Sequence, residues 1–111
     1  MTAHHEVWWA DAGPPWGRRP FLILHRDPVA GVIENVVVAP LTTTDRGVSS
    51  HLRLGREEGM PRESWVNFDS IATIRRSWLI RRIAVLSPRQ SRQACDTLAY
   101  ALGCRHAPEI G

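Results

Sequence analysis

Arginine is the side chain in this sequence best suited to chemistry on an anion. All fourteen of its Lys-or-Arg positions are Arg. After residue 70, Arg75, Arg76, Arg81, Arg82, Arg89, Arg92 and Arg105 face only Asp96 and Glu109, so that part is basic although the net charge is a modest +3. A guanidinium offers phosphate a planar fork of donors, and an arginine-rich face suits a nucleic-acid backbone. Codon usage in a GC-rich genome produces the same absence of lysine, and composition alone favours that explanation. Five histidines invite acid–base work, because imidazole titrates near neutrality. His4 and His5 lie near the chain start, His106 follows a predicted helix, and none has metal-ligand spacing. His25 is the one worth testing, since alternation along its strand sets it on the side of Arg19; the alternative is a structural ring. Cys95 and Cys104 fit neither a disulfide framework nor a zinc motif and read as reduced thiols. No metal and no cofactor is expected.

The elements that must position these groups follow from patterning. Val7, Trp8 and Trp9 favour a strand over Glu6 to Asp11, which Gly13-Pro14-Pro15 must end, because proline fixes its φ and donates nothing to a ladder. A loop follows, ending at Gly17-Arg18-Arg19-Pro20. Phe21 to His25 and Val32 to Leu41 are rich in aliphatic and β-branched residues and read as adjacent central strands, with Arg26-Asp27-Pro28 and Ala30-Gly31 supplying the turn. Thr42 to Gly47 is polar loop, Ser50 to Leu54 a short strand, and charged Arg56 to Glu63, with Gly59 and Pro61, loop again. From Trp65 to Ile74 the side chains alternate. Val66, Phe68, Ala72 and Ile74 fall on one side and Asn67, Asp69, Ile71 and Thr73 on the other, which predicts a strand with one buried face.

Ile80 to Leu86 is a further strand. Ser87-Pro88-Arg89-Gln90 starts a helix, with Ser as N-cap, Pro at the first position and Gln completing a capping box. The helix should run to about Leu102, end on Gly103, and carry an apolar stripe of Ala94, Cys95, Leu98, Ala101 and Leu102 for the core or a dimer contact. The fold class is therefore mainly β with a C-terminal α-helix (α+β): one domain over residues 1–111, an antiparallel sheet of five to seven strands curled into a small barrel. No apolar run suffices for a membrane span and no leader pattern is visible, so a cytoplasmic location follows by elimination.

Read in order, several segments resemble the MazF/PemK toxins. These are Glu6-Val7-Trp8-Trp9-Ala10-Asp11, Arg19-Pro20 opening Phe21-Leu22-Ile23-Leu24, and Val38-Ala39-Pro40-Leu41-Thr42-Thr43-Thr44. Gly59-Met60-Pro61-Arg62-Glu63-Ser64, Val66-Asn67-Phe68-Asp69 with Thr73-Ile74, and the closing helix with Leu102-Gly103 continue the match. Each piece is common; their order over nearly the whole chain is specific. The resemblance implies an SH3-like small barrel of the MazF/PemK/CcdB type that forms a homodimer. It also implies an endoribonuclease that cuts single-stranded RNA without a metal and is neutralised by a cognate antitoxin.

By the same resemblance Arg19 takes the place of the family's functional arginine, where charge stabilisation suits a guanidinium better than proton donation. Thr42 takes that of a functional threonine, with Thr43 and Thr44 as rivals and a local backbone contact as the alternative. Asp69 matches an acidic residue of the PemK branch, a candidate base with Asn67 beside it, or equally a solvated group or an arginine partner. Arg18 can join in RNA binding, and Trp16 can stack on an unpaired base or simply pack. One departure stands out: the first loop, Pro14-Pro15-Trp16-Gly17-Arg18, lacks the Glu or His that many members carry, so no general base carries over. Two rivals follow. The first is an RNA- or antitoxin-binding module without catalysis. The second is a gyrase poison of the CcdB kind, which the ending His106-Ala107-Pro108-Glu109-Ile110-Gly111 does not favour. Trp65, Trp78 and the helix stripe are candidates for an isologous interface.

Overall fold

The computed structural model describes residues 4–27 and 32–105. Seven strands build the sheet: β1 Glu6–Asp11, β2 Arg18–Ile23, β3 Asn35–Thr42, β4 His51–Leu54, β5 Ser64–Asn67, β6 Ala72–Arg75 and β7 Leu79–Val85. One helix, α1 Pro88–Ala101, follows. The spatial order is β4-β5-β3-β2-β1-β7, and β6 also pairs with β3. All pairings are antiparallel. β3 is the axle: its start pairs with β6 from Asn35↔Arg75 to Val38↔Ala72, and its end pairs with β5 at Leu41↔Val66 and Thr42↔Trp65.

That double pairing corrects the expectation of a strand running from Trp65 to Ile74. The chain is interrupted by a 3-10 turn, Phe68–Ser70, whose cap is Asn67: its side-chain oxygen accepts the Asp69 N–H at 2.9 Å. A local side-chain acceptor outcompetes the ladder, as Asn does at turns. The turn lets β5 and β6 wrap opposite ends of β3, which curls the sheet into a half-barrel. Elsewhere the boundaries shift: β2 opens on the arginine pair itself, and β3 starts at Asn35. The helix start is as expected, with Ser87 Oγ accepting the Gln90 N–H at 3.2 Å and Gly103 at φ +78° after its end. Pro28, Ala30, Gly31 and residues 106–111, which carried the turn and C-terminal readings, lie outside the described residues.

Alternation along the strands feeds two apolar clusters. Val7, Leu22, Ala39, Leu41, Leu54, Val66 and Phe68 form one, under α1. Phe21, Ile23, Val36, Val38 and Ile74 form the other. The helix stripe divides: Ala94, Leu98 and Ala101 pack on the first cluster, whereas Cys95 and Leu102 are exposed. The segment between β4 and β5 is a packed strap rather than a free loop. Met60 is 3% exposed within the first cluster, and Gly59, at φ +97°, passes so close to β7 that a Cβ would lie 3.4 Å from the Ile83 carbonyl oxygen. Arg53 of β4 ties the strap down through Glu57, at 3.1 Å, and Glu63. Among the described residues no helix is long and apolar enough to cross a membrane.

Candidate active site: an arginine-lined cleft

The register between β2 and β3 runs Phe21↔Pro40, Leu22↔Ala39, Ile23↔Val38. Continuing it two residues outward sets Arg19 opposite Thr42. At this end of the sheet the strap and β7 rise as walls and enclose a cleft of about 610 Å³, within the range of small-molecule sites, about 300–1,000 Å³. Its floor is apolar, with Trp9, Pro20, Leu41, Met60 and Ile83. Its polar lining is Arg18, Arg19, Thr42, Thr43, Arg62, Ser64 and Arg81. Among the described residues the lining contains four guanidinium groups and no carboxylate, an arrangement that favours an anion.

Arg19 is half-buried and anchored: its Nε donates to the Trp16 carbonyl at 2.7 Å. The first loop can present that carbonyl because it closes on itself, Gly17 N–H to Gly13 O at 2.7 Å and Ala12 N–H to Gly17 O at 3.1 Å, with both glycines at positive φ. The two terminal nitrogens of Arg19 remain for a ligand. Arg18 makes a loose, exposed contact with Asp11 at 3.7 Å. Thr42 Oγ1 accepts the Thr44 N–H at 3.1 Å, which fixes the hydroxyl and leaves its proton free to be donated. Thr43 is exposed at the rim.

The other sequence candidates lie elsewhere. Asp69 accepts a short hydrogen bond from the Ser50 hydroxyl, and Asn67 caps the 3-10 turn, so neither lines the cleft. His25 falls beyond the end of β2, not on it; its Nδ1 accepts the Val37 N–H at 2.7 Å, the ring standing in for a missing ladder carbonyl. The Trp16 ring packs edge-on against Phe21, with centroids 6.3 Å apart, and contributes to the cleft through its carbonyl alone.

Sequence reasoning missed Arg62 and Arg81. Arg62 rides on the strap, whose charged, Gly- and Pro-containing sequence predicts a loop. Arg81 sits in an Arg-Arg pair that strand alternation splits: Arg81 lines the cleft, while Arg82 Nη1 pairs with nearly buried Glu6 at 3.0 Å. The period of two, with Ile83 on the cleft side as well, was the available signal.

Comparison with known proteins agrees with this architecture. A family model described as PemK-like, MazF-like toxin of type II toxin–antitoxin system matches residues 3–102. A Mycobacterium tuberculosis protein named probable endoribonuclease MazF2 is 47% identical over 100 residues, covering 89% of this chain and 96% of that one. The solved structure of Mycobacterium tuberculosis toxin MazF-mt6 is similar at a TM-score of 0.81 and 30% identity, covering 90% of this chain and 98% of that one. The chain belongs to the PemK-like, MazF-like toxins of type II toxin–antitoxin systems.

Proposed function

We propose that this protein is an endoribonuclease toxin that cuts single-stranded RNA in the arginine-lined cleft and is silenced in the cytoplasm by a cognate antitoxin. The observation that carries the reading is the convergence of Arg18, Arg19, Arg62 and Arg81 with the Thr42 and Thr43 hydroxyls around a space without a carboxylate. The relatives' endoribonuclease names agree with it.

The chemistry that fits is transesterification without a metal. The substrate's 2′-oxygen attacks the adjacent phosphorus, the P–O5′ bond breaks, and the products carry a 2′,3′-cyclic phosphate and a 5′-hydroxyl. The 2′-hydroxyl loses its proton and the departing 5′-oxygen gains one. The free fork of Arg19 and the Thr42 hydroxyl are placed to hold the nonbridging oxygens as charge builds on them. Arg18, Arg62, Arg81 and Thr43 hold the flanking backbone. Asp69 serves the fold through Ser50. An antitoxin segment that brings carboxylates to the same four arginines blocks RNA entry. A second copy of the chain docks beside the edge strand β7, where Trp78 and Ile80 expose apolar surface.

One observation favours a second reading, a binding module without catalysis: among the described residues the lining offers neither carboxylate nor imidazole to move a proton. A single experiment separates the two. Purified protein, free of antitoxin, and an Arg19→Ala variant are incubated with several long single-stranded RNAs in EDTA, and the fragment ends are mapped. Discrete cuts with 5′-hydroxyl ends, lost in the variant, establish the nuclease. RNA that is retained but intact establishes the binding module, and RNA neither bound nor cut removes both.

A further inference from the structure

Sequence spacing gives His4 and His5 no third metal-ligating neighbour, but the fold does. The fold brings Cys95 of α1 to them, so that a ligand atom from each of the three lies within 4.8 Å of the others. Neighbouring residues in an extended chain point to opposite sides. His5 instead adopts φ +59°, which turns the two rings together, stacked with centroids 3.5 Å apart. The backbone is held there from both sides: His5 N–H donates to the Ile23 carbonyl at 2.9 Å, and Leu86 N–H donates to the His5 carbonyl at 3.1 Å.

Each of the three donors is in a state suited to coordination. His5 is 3% exposed, yet its Nδ1 has no hydrogen-bond partner. A buried polar atom left unpaired costs free energy unless something else fills its lone pair. His4 Nδ1 lies 2.9 Å from the His25 carbonyl oxygen. A carbonyl only accepts, so Nδ1 carries the proton and the Nε2 lone pair is free. This is the outer contact that fixes tautomer and orientation in metal-bound histidines. A second bond, His4 N–H to Asp27 Oδ1 at 2.8 Å, steadies the segment. Cys95 is an exposed free thiol, so rotation about its side-chain bond is open.

The geometry points to a binding site for a thiophilic divalent cation of the Zn²⁺ class, held by His4, His5 and Cys95, with water as the fourth ligand. Two nitrogens and one thiolate are a zinc donor set, and the three-ligand form leaves one position open. Tetrahedral zinc places such atoms about 3.3–3.6 Å apart, so the side chains contract modestly on binding. None of the three lines the arginine cleft. The ion would join the segment before β1 to α1, and cleavage in the cleft proceeds without it.

Isothermal titration of Zn²⁺ into the full-length, metal-free, reduced protein tests this, with Co²⁺ as an optical probe. The expected result is one ion per chain and a higher melting temperature. Affinity falls at least about tenfold in Cys95→Ser and in His4→Gln, one ligand contact being worth that much, and is unchanged in Cys104→Ser. The Co²⁺ complex shows a thiolate charge-transfer band that Cys95→Ser abolishes. Because Cys95 is exposed, its substitution leaves the fold intact, and circular dichroism verifies this. Absence of binding, or binding and a charge-transfer band that survive Cys95→Ser, overturns the assignment.

Discussion

Replacing Arg19 by lysine keeps the charge and removes the geometry, so it isolates what the guanidinium contributes. In the wild type Nε is committed to the Trp16 carbonyl at 2.7 Å, which orients the two remaining nitrogens as a rigid pair. Lysine has one nitrogen, and it cannot hold the loop carbonyl and a phosphate together. Two losses follow. The first is structural: a charged donor to a carbonyl is worth about 1.5–3 kcal/mol in net terms when buried, and at this half-buried site about 1 kcal/mol of stability is expected to go. The second is catalytic: losing one directed donor to a developing oxyanion costs about 2.7–4 kcal/mol, or about 10²–10³ in kcat. Arg62 and Arg81 are exposed, and Arg62→Lys and Arg81→Lys should cost less than about tenfold, as replaceable point charges do. Initial rates on a single-stranded oligonucleotide carrying one cleavage site, with urea melts alongside, measure both terms. A rate for Arg19→Lys within about threefold of wild type, equivalent to under about 1 kcal/mol, or an equal collapse in Arg62→Lys, would refute the anchored-fork reasoning.

Three further outcomes follow from the same structure. Asp69→Ala removes the acceptor of nearly buried Ser50 and should lower stability by about 1–2 kcal/mol while leaving the cleavage rate of the folded protein near wild type; a catalytic collapse without destabilisation would return Asp69 to the chemistry. RNA affinity should fall with salt at a log–log slope of about −3, as four phosphate contacts on a single strand dictate, and Arg62→Ala should flatten it by about 0.7; a slope indifferent to Arg62 would place the RNA elsewhere. Acid should destabilise the metal-free protein through His5, whose pKa is held at about 4 by burial first and the adjacent His4 second, against an opposing pull from Asp27. The unfolded ring takes up a proton below 6.5 and the folded one does not, so this contribution is intact above 6.5, is lost as pH falls, and amounts to about 2 kcal/mol by about pH 5. Urea melts in EDTA of the wild type and of His5→Asn, which tolerates the same backbone, measure it; identical pH dependence in the two would remove His5 as the cause.

What the sequence made legible was local. The helix start was written in Ser87, Pro88 and Gln90, and β1 in its tryptophans, because caps and strand propensity act between near neighbours. The Arg19 and Thr42 pair was reachable by resemblance, and antiparallel register explains why two residues so far apart meet. The break at Asn67 was hidden because its polar spacing mimics a strand, and only competition from its own side chain decides for a turn. Arg62 was obscured because a charged segment with Gly59 and Pro61 reads as free loop, although Met60 buries itself and pins the segment to β7. The meeting of Cys95 with His4 and His5 leaves no local trace, since it depends on how α1 returns across the sheet.

The span of the cleft lining along the chain, from Trp9 to Ile83, also governs when the protein can first act during its own synthesis. β1 lies between β2, made soon after it, and β7, made after all the other strands. A nascent chain that has left the ribosome only as far as β6 therefore lacks the wall bearing Arg81, and its first strand presents an unpaired edge. The cleft is therefore complete only once β7 has been made, so the strands made before it do not form the arginine-lined site on their own.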